Sequence, residues 1–100
     1  MELKDNNGRL EIELPGVVDL PASAELRDIL LDALARDTAA DVVVKAGGVE
    51  RMSTACVQVM LTAGDGFGGA ARRFEVDAPS RAVAETFAQL GLAADLQKLT

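Results

Sequence analysis

One hundred residues, 49% of them apolar, form a single domain (1–100) that can bury one core, and its formal net charge is −6. That charge speaks against nucleic acid or anionic lipid as a partner. One cysteine and no histidine exclude a disulfide framework, a cysteine/histidine zinc site and a Ser-His-Asp triad within the chain. No metal or cofactor is therefore expected, and a binding protein is favoured over an enzyme. Carboxylates such as Glu50 and Asp65 are the only basis an enzyme would have, and they read more simply as solvated loop charges. Three Phe with no Trp or Tyr give no platform for stacking bases. No apolar run reaches the roughly 20 residues of a membrane span, so no membrane insertion is expected. MELKDNNG lacks the pattern of a secretory signal, and the expected compartment is the cytoplasm.

Leu3-Lys4 and Leu10 to Leu14 flank Asp5-Asn6-Asn7-Gly8, whose Asn-Gly suits a tight hairpin. In the second arm Leu10, Ile12 and Leu14 alternate with Glu11 and Glu13, so one face is buried and the other wet. Pro15-Gly16 ends it, and Val17 to Leu20 connect with room for a few extended residues. Pro21 and Ser23 then mark a helix start, with Ser23 as the N-cap, running to about Arg36. Leu26, Ile29, Leu30, Ala33 and Leu34 form the stripe that covers a sheet, while Arg27, Asp28, Asp32 and Arg36 face away.

The stretch DVVVKAGGVERMSTACVQVML, residues 41–61, is the centre of the chain. Val42, Val43 and Val44 suit a strand covered on both faces, and a loop through Gly47-Gly48 follows. Ser53-Thr54 then precedes a second, almost wholly apolar helix. Its polar positions Thr54, Gln58 and Thr62 are four residues apart and lie along one narrow face. Ser53 reads as the cap of this helix. Cys56 reads as a small buried hydrophobe, with nothing nearby to lower its pKa.

Gly64, Gly66 and Gly69 spell GxGxxG, but a helix precedes them and a strand (about Arg72 to Val76) follows, the reverse of a dinucleotide site. They read instead as a helix C-cap and a flexible connection. Phe74 and Val76 fit one strand face, Ser80 caps a helix through Leu90, Gly91 stops it, and Leu92, Leu96 and Leu99 suggest a last short helix. The order β-β-α-β-α-β-α-α implies a mixed sheet with helices covering mainly one face.

From about residue 8 to 99 the chain resembles a STAS domain, named for sulphate transporters and bacterial anti-sigma-factor antagonists. The resemblance is carried by the buried strand and loop leading to Ser53-Thr54-Ala55-Cys56-Val57, where members typically have Asp-Ser/Thr-Ser/Ala-Gly-Leu opening a helix. RRFEVDAPSRAVAETFAQLGL also follows the family's strand, Pro/Ser turn and helix ending in Leu-Gly-Leu. The fold it implies is α/β, a STAS-like mixed sheet of four to five strands. In stand-alone members a Ser or Thr in this segment is a phosphorylation switch that governs binding to a kinase-like anti-sigma factor. Thr54 matches the first hydroxyl position, Ala55 the second, and Ser53 stands at the usual Asp, a secondary phosphoacceptor candidate.

The resemblance thus implies a protein–protein interaction module with a partner surface around the start of the second helix: Glu50, Arg51, Ser53, Thr54, Gln58 and Thr62. Two readings stand. The partner is an anti-sigma factor or serine kinase that is released when the switch is phosphorylated. Alternatively the chain is a constitutive subunit on the ATPase of an ABC-type lipid transporter or in a chemosensory complex. The sequence leaves the oligomeric state open.

Overall fold

The computed structural model describes residues 1–36 and 39–100. The first two strands, β1 (Leu3–Asn6) and β2 (Arg9–Glu13), form the expected hairpin. Asn7 and Gly8 both take positive φ, 57° and 83°, as a two-residue turn of this hand requires. A two-residue strand β3 (Val17–Val18) leads into α1 (Leu20–Ala35), followed by β4 (Val42–Lys45) and β5 (Arg51–Met52). The chain continues as α2 (Thr54–Gly69), β6 (Phe74–Asp77), α3 (Arg81–Gln89) and α4 (Ala93–Leu99).

The main sheet has the order β1-β2-β4-β6, with β1 antiparallel and the remaining pairs parallel. The architecture is the mixed α/β sheet expected from the residues. Register stacks Leu10, Val42 and Phe74 in one row and Ile12, Val44 and Val76 in another. Both rows join the core with Leu26, Leu30, Met60, Phe67, Val83 and Phe87 from the helices. The opposite face is polar, yet Val43 there is buried, at 2% exposure. Glu11 and Glu75 flank it in register. Arg9 bridges those two carboxylates at 3.7 and 3.6 Å, and Lys45 meets Glu11 at 3.2 Å. Their aliphatic stems cover the valine while the charges stay wet. The three valines are thus buried on both sides, one by a helical layer and one by an ionic roof.

Four boundaries differ from the sequence expectation. First, α1 starts at Leu20, and its N-cap is Asp19, whose carboxylate accepts from the Ala22 N–H at 3.0 Å. Ser23 lies inside the first turn and is buried. Asp is as good a cap as Ser, and Pro21 is tolerated in a first turn where its missing N–H has no partner to lose. Second, Arg51 and Met52 are extended and pair with Val17 and Val18 as a parallel ribbon, too short for its pattern to be visible in the residues.

Third, α2 does not stop at its glycines but runs through Gly69. A Cβ on Gly64 would come within 2.9 Å of Leu99 Cδ2, and one on Gly66 within 3.5 Å of Leu34 Cδ2. Gly64 thus leaves room for Leu99, a Cβ on Gly66 would make only an ordinary contact, and Phe67, just after them, is buried in the core. The helix closes at Ala71, in the left-handed region at φ 57°, where Arg72 N–H donates to Phe67 O at 2.8 Å. Gly68 has open space where a Cβ would go. Gly68→Ala is expected to stabilise the fold by about 0.5–1 kcal/mol, through the lower helix propensity of glycine. A thermal midpoint that does not rise would count against a regular helix there.

Fourth, Arg72 is not part of β6, which begins at Phe74. Its side chain is 7% exposed and turns inward to the end of α1. Its guanidinium donates to the carbonyls of Ala33 (3.0 Å), Leu34 (3.3 Å) and Ala40 (3.1 Å). It also lies 4.8 Å from the centre of the Phe67 ring, which stacks on Phe74 at 5.8 Å. Ser80 caps α3 as expected, accepting from Val83 N–H at 3.3 Å while donating to Val49 O at 2.6 Å.

Candidate functional site

The small ribbon decides where the site sits. Val17 pairs with Arg51 and Val18 with Met52, and the Ser53 N–H donates to Val18 O at 2.8 Å. Glu50 and Arg51 N–H groups both donate to Gly16 O, at 2.7 and 3.0 Å. Each strand then runs almost directly into a helix. Leu20 opens α1 and Thr54 opens α2, each two residues beyond the paired Val18 and Met52. The two helices therefore begin side by side, and the Ser23 and Ser53 hydroxyls lie 2.9 Å apart between them.

Every residue expected at the partner surface lies in this region or along the face that leads from it. Glu50, Arg51, Thr54, Gln58 and Thr62 are all exposed; Ser53 is half-buried. Thr54 presents its hydroxyl at the first residue of α2. Ser53 occupies the N-cap position, but its side chain makes no capping hydrogen bond, contrary to the sequence expectation. The reason is a better partner nearby. Ser23 spends its single proton on Asp19 O at 2.8 Å, so its oxygen is free to accept, and the Ser53 hydroxyl donates to it. The first-turn amides of α2 are left without a side-chain cap.

Cys56 is fully buried one turn further. Burial pushes its thiol up to about 11, the Ser23 contact pulling weakly the other way. At neutral pH it is a protonated, inert thiol, consistent with its reading as a small core residue. Among the described residues no His, Cys, Asp and Glu side chains come together as a metal-holding group, and none of their helices is long and apolar enough to cross a membrane.

Two surface residues escaped the sequence reading. Leu20 is 68% exposed and Val17 51% exposed; the ribbon pairs Val17 with Arg51 and brings the helix starts at Leu20 and Thr54 to the same end of the fold. The available signal was that Leu20 falls off the α1 stripe of Leu26, Leu30 and Ala33, so the core has no use for it. Farther along, an apolar groove of about 420 Å³ runs between α1 and α2. Leu31, Leu34 and Val59 line it, and Gln58 and Thr62 stand at its rim. The surface is thus a hydroxyl and polar stripe with apolar residues on either side.

A family model described as "Mlab, STAS domain" matches residues 1–99. A search of curated proteins gave no match.

Proposed function

Because that match, over nearly the whole chain, makes it a member of the STAS family, a family of interaction modules, we propose that it binds a protein partner through the corner where α1 and α2 begin. We read it as an anti-sigma-factor antagonist-like regulator, a binding protein and not an enzyme. Its partner is an anti-sigma factor or serine kinase, and phosphorylation of Thr54 switches the contact. The observation that supports this is the contrast between neighbouring hydroxyls. Thr54 is exposed at the first residue of α2, whereas Ser53 is half-buried and committed to Ser23. A kinase can reach the first without disturbing the fold. In the transfer, the Thr54 oxygen takes the γ-phosphoryl of ATP, ADP leaves, and the hydroxyl proton passes to a base on the kinase.

The helix start can hold the product. A phosphate carries about −1.5 to −2 charges, and the uncapped amides and positive dipole end of α2 favour an anion there. A partner packed on Leu20 and Thr54 would have to desolvate or oppose that charge, and each 1.4 kcal/mol so lost is a tenfold drop in affinity.

The test is intact mass after incubation with ATP and a serine kinase of the anti-sigma-factor type, together with binding of Thr54→Glu to that kinase. The expected outcome is one added phosphate that Thr54→Ala abolishes, and at least a tenfold weaker complex for Thr54→Glu at an unchanged thermal midpoint. A second reading is favoured by Leu20 and Val17. Exposed apolar side chains beside the hydroxyl suit a permanent interface, since obligate contacts are the more apolar ones. Here the chain is a constitutive subunit on a transporter ATPase or in a chemosensory complex. Protein that stays unmodified and binds equally well as Thr54→Glu selects this reading over the first.

A further inference from the structure

The two hydroxyls between the helix starts do more than fill space. Ser23 is 1% exposed, a buried polar residue whose hydroxyl serves two groups. It donates to Asp19 O at 2.8 Å and receives the Ser53 hydroxyl at 2.9 Å. Asp19 and Ser23 belong to the first turn of α1, Ser53 and Cys56 to the first turn of α2. Farther along, the groove between the two helices is lined by apolar residues, among them Leu30, Leu34, Val59 and Ala63. Apolar contacts of that kind are non-directional and leave sliding cheap. A hydrogen bond has a short permitted range and fixes one end of the pair.

We infer that Ser23 and Ser53 form a positioning link that makes the first turns of α1 and α2 move as one unit, so that a charge or a partner at Thr54 is felt on α1 at Ala22 to Ala24. The regulatory meaning of this link rests on Thr54 being the contacted residue, as proposed above. The link itself can be read on the isolated chain, so either idea can fail without the other.

Ser53→Ala is the informative variant, because Ser53 makes no side-chain cap whose loss would complicate the result. In amide hydrogen exchange it is expected to speed exchange about tenfold at Ser23 on α1 as well as at Cys56 on α2. Val42 to Val44 should be unchanged. Ser23→Ala should do the same in reverse and raise the rate of Cys56 with an aromatic disulfide reagent by at least tenfold. Thr54→Glu should alter exchange at Ser23, and this effect should vanish when Ser53→Ala is added. Acceleration confined to the substituted residue's own helix would overturn the inference, as would a uniform rise that includes Val42 to Val44. So would a response of Ser23 to Thr54→Glu that survives Ser53→Ala.

Discussion

Arg72→Met is expected to cost the fold about 3 kcal/mol, a large share of the 5–15 kcal/mol that holds a domain of this size together. Methionine keeps the length and the apolar stem, so the comparison isolates the guanidinium. Its three hydrogen bonds go to Ala33, Leu34 and Ala40, around the end of α1. Each is a charge-assisted bond to a carbonyl, of the kind that contributes about 1.5–3 kcal/mol, and the cation also sits at the negative end of the helix dipole. The gross sum is larger than 3 kcal/mol. Burying the charge offsets part of it, and Nη2 has no hydrogen-bond partner among the described residues. At roughly 4–8 °C per kcal/mol for a domain this small, the midpoint should fall by about 15 °C. Arg73→Met is the control. Arg73 is exposed and only 3.8 Å from Glu75, and surface pairs of that kind are worth at most about 1 kcal/mol. Equal midpoints for the two variants would remove Arg72 from the account of stability.

Leu20→Asp is expected to weaken partner binding by about 30-fold or more while leaving the midpoint where it was or slightly higher. Leu20 is 68% exposed and outside the core cluster, so the folded chain loses little by the change. An acid at the first residue of a helix is favoured by the dipole. At an interface the same change replaces an apolar anchor with a charge that must be desolvated, a loss of about 2 kcal/mol or more at a well-packed position. Leu31→Asp, on the groove farther along α1, separates the helix starts from the groove as the contacted region. A complex indifferent to Leu20→Asp but broken by Leu31→Asp would move the surface away from the helix starts.

The layers of the fold were legible because their cause is local. Asn7-Gly8 admits one kind of turn, Leu10/Ile12 and Phe74/Val76 alternate, and the valines of β4 cannot be left wet. The polar stripe of α2 was legible from the spacing of Thr54, Gln58 and Thr62. What escaped depends on distant neighbours. The lack of a side chain at Gly64 answers to Leu99, 35 residues on, and the inward turn of Arg72 to carbonyls more than 30 residues away. Ser53 looked like a cap because the residue that recruits it, Ser23, lies in another helix. Leu20 looked like a connector, whereas it opens α1 at the end of the fold where Thr54 opens α2.

That ribbon has a consequence for how the surface is inherited along the chain. The helix starts at Leu20 and Thr54 are brought to one end by two strand pairs, Val17 with Arg51 and Val18 with Met52, and by the Ser23–Ser53 hydrogen bond. The recognition patch is therefore discontinuous, assembled from both halves of the chain, and no linear fragment spanning only the Ser53-Thr54 motif contains it.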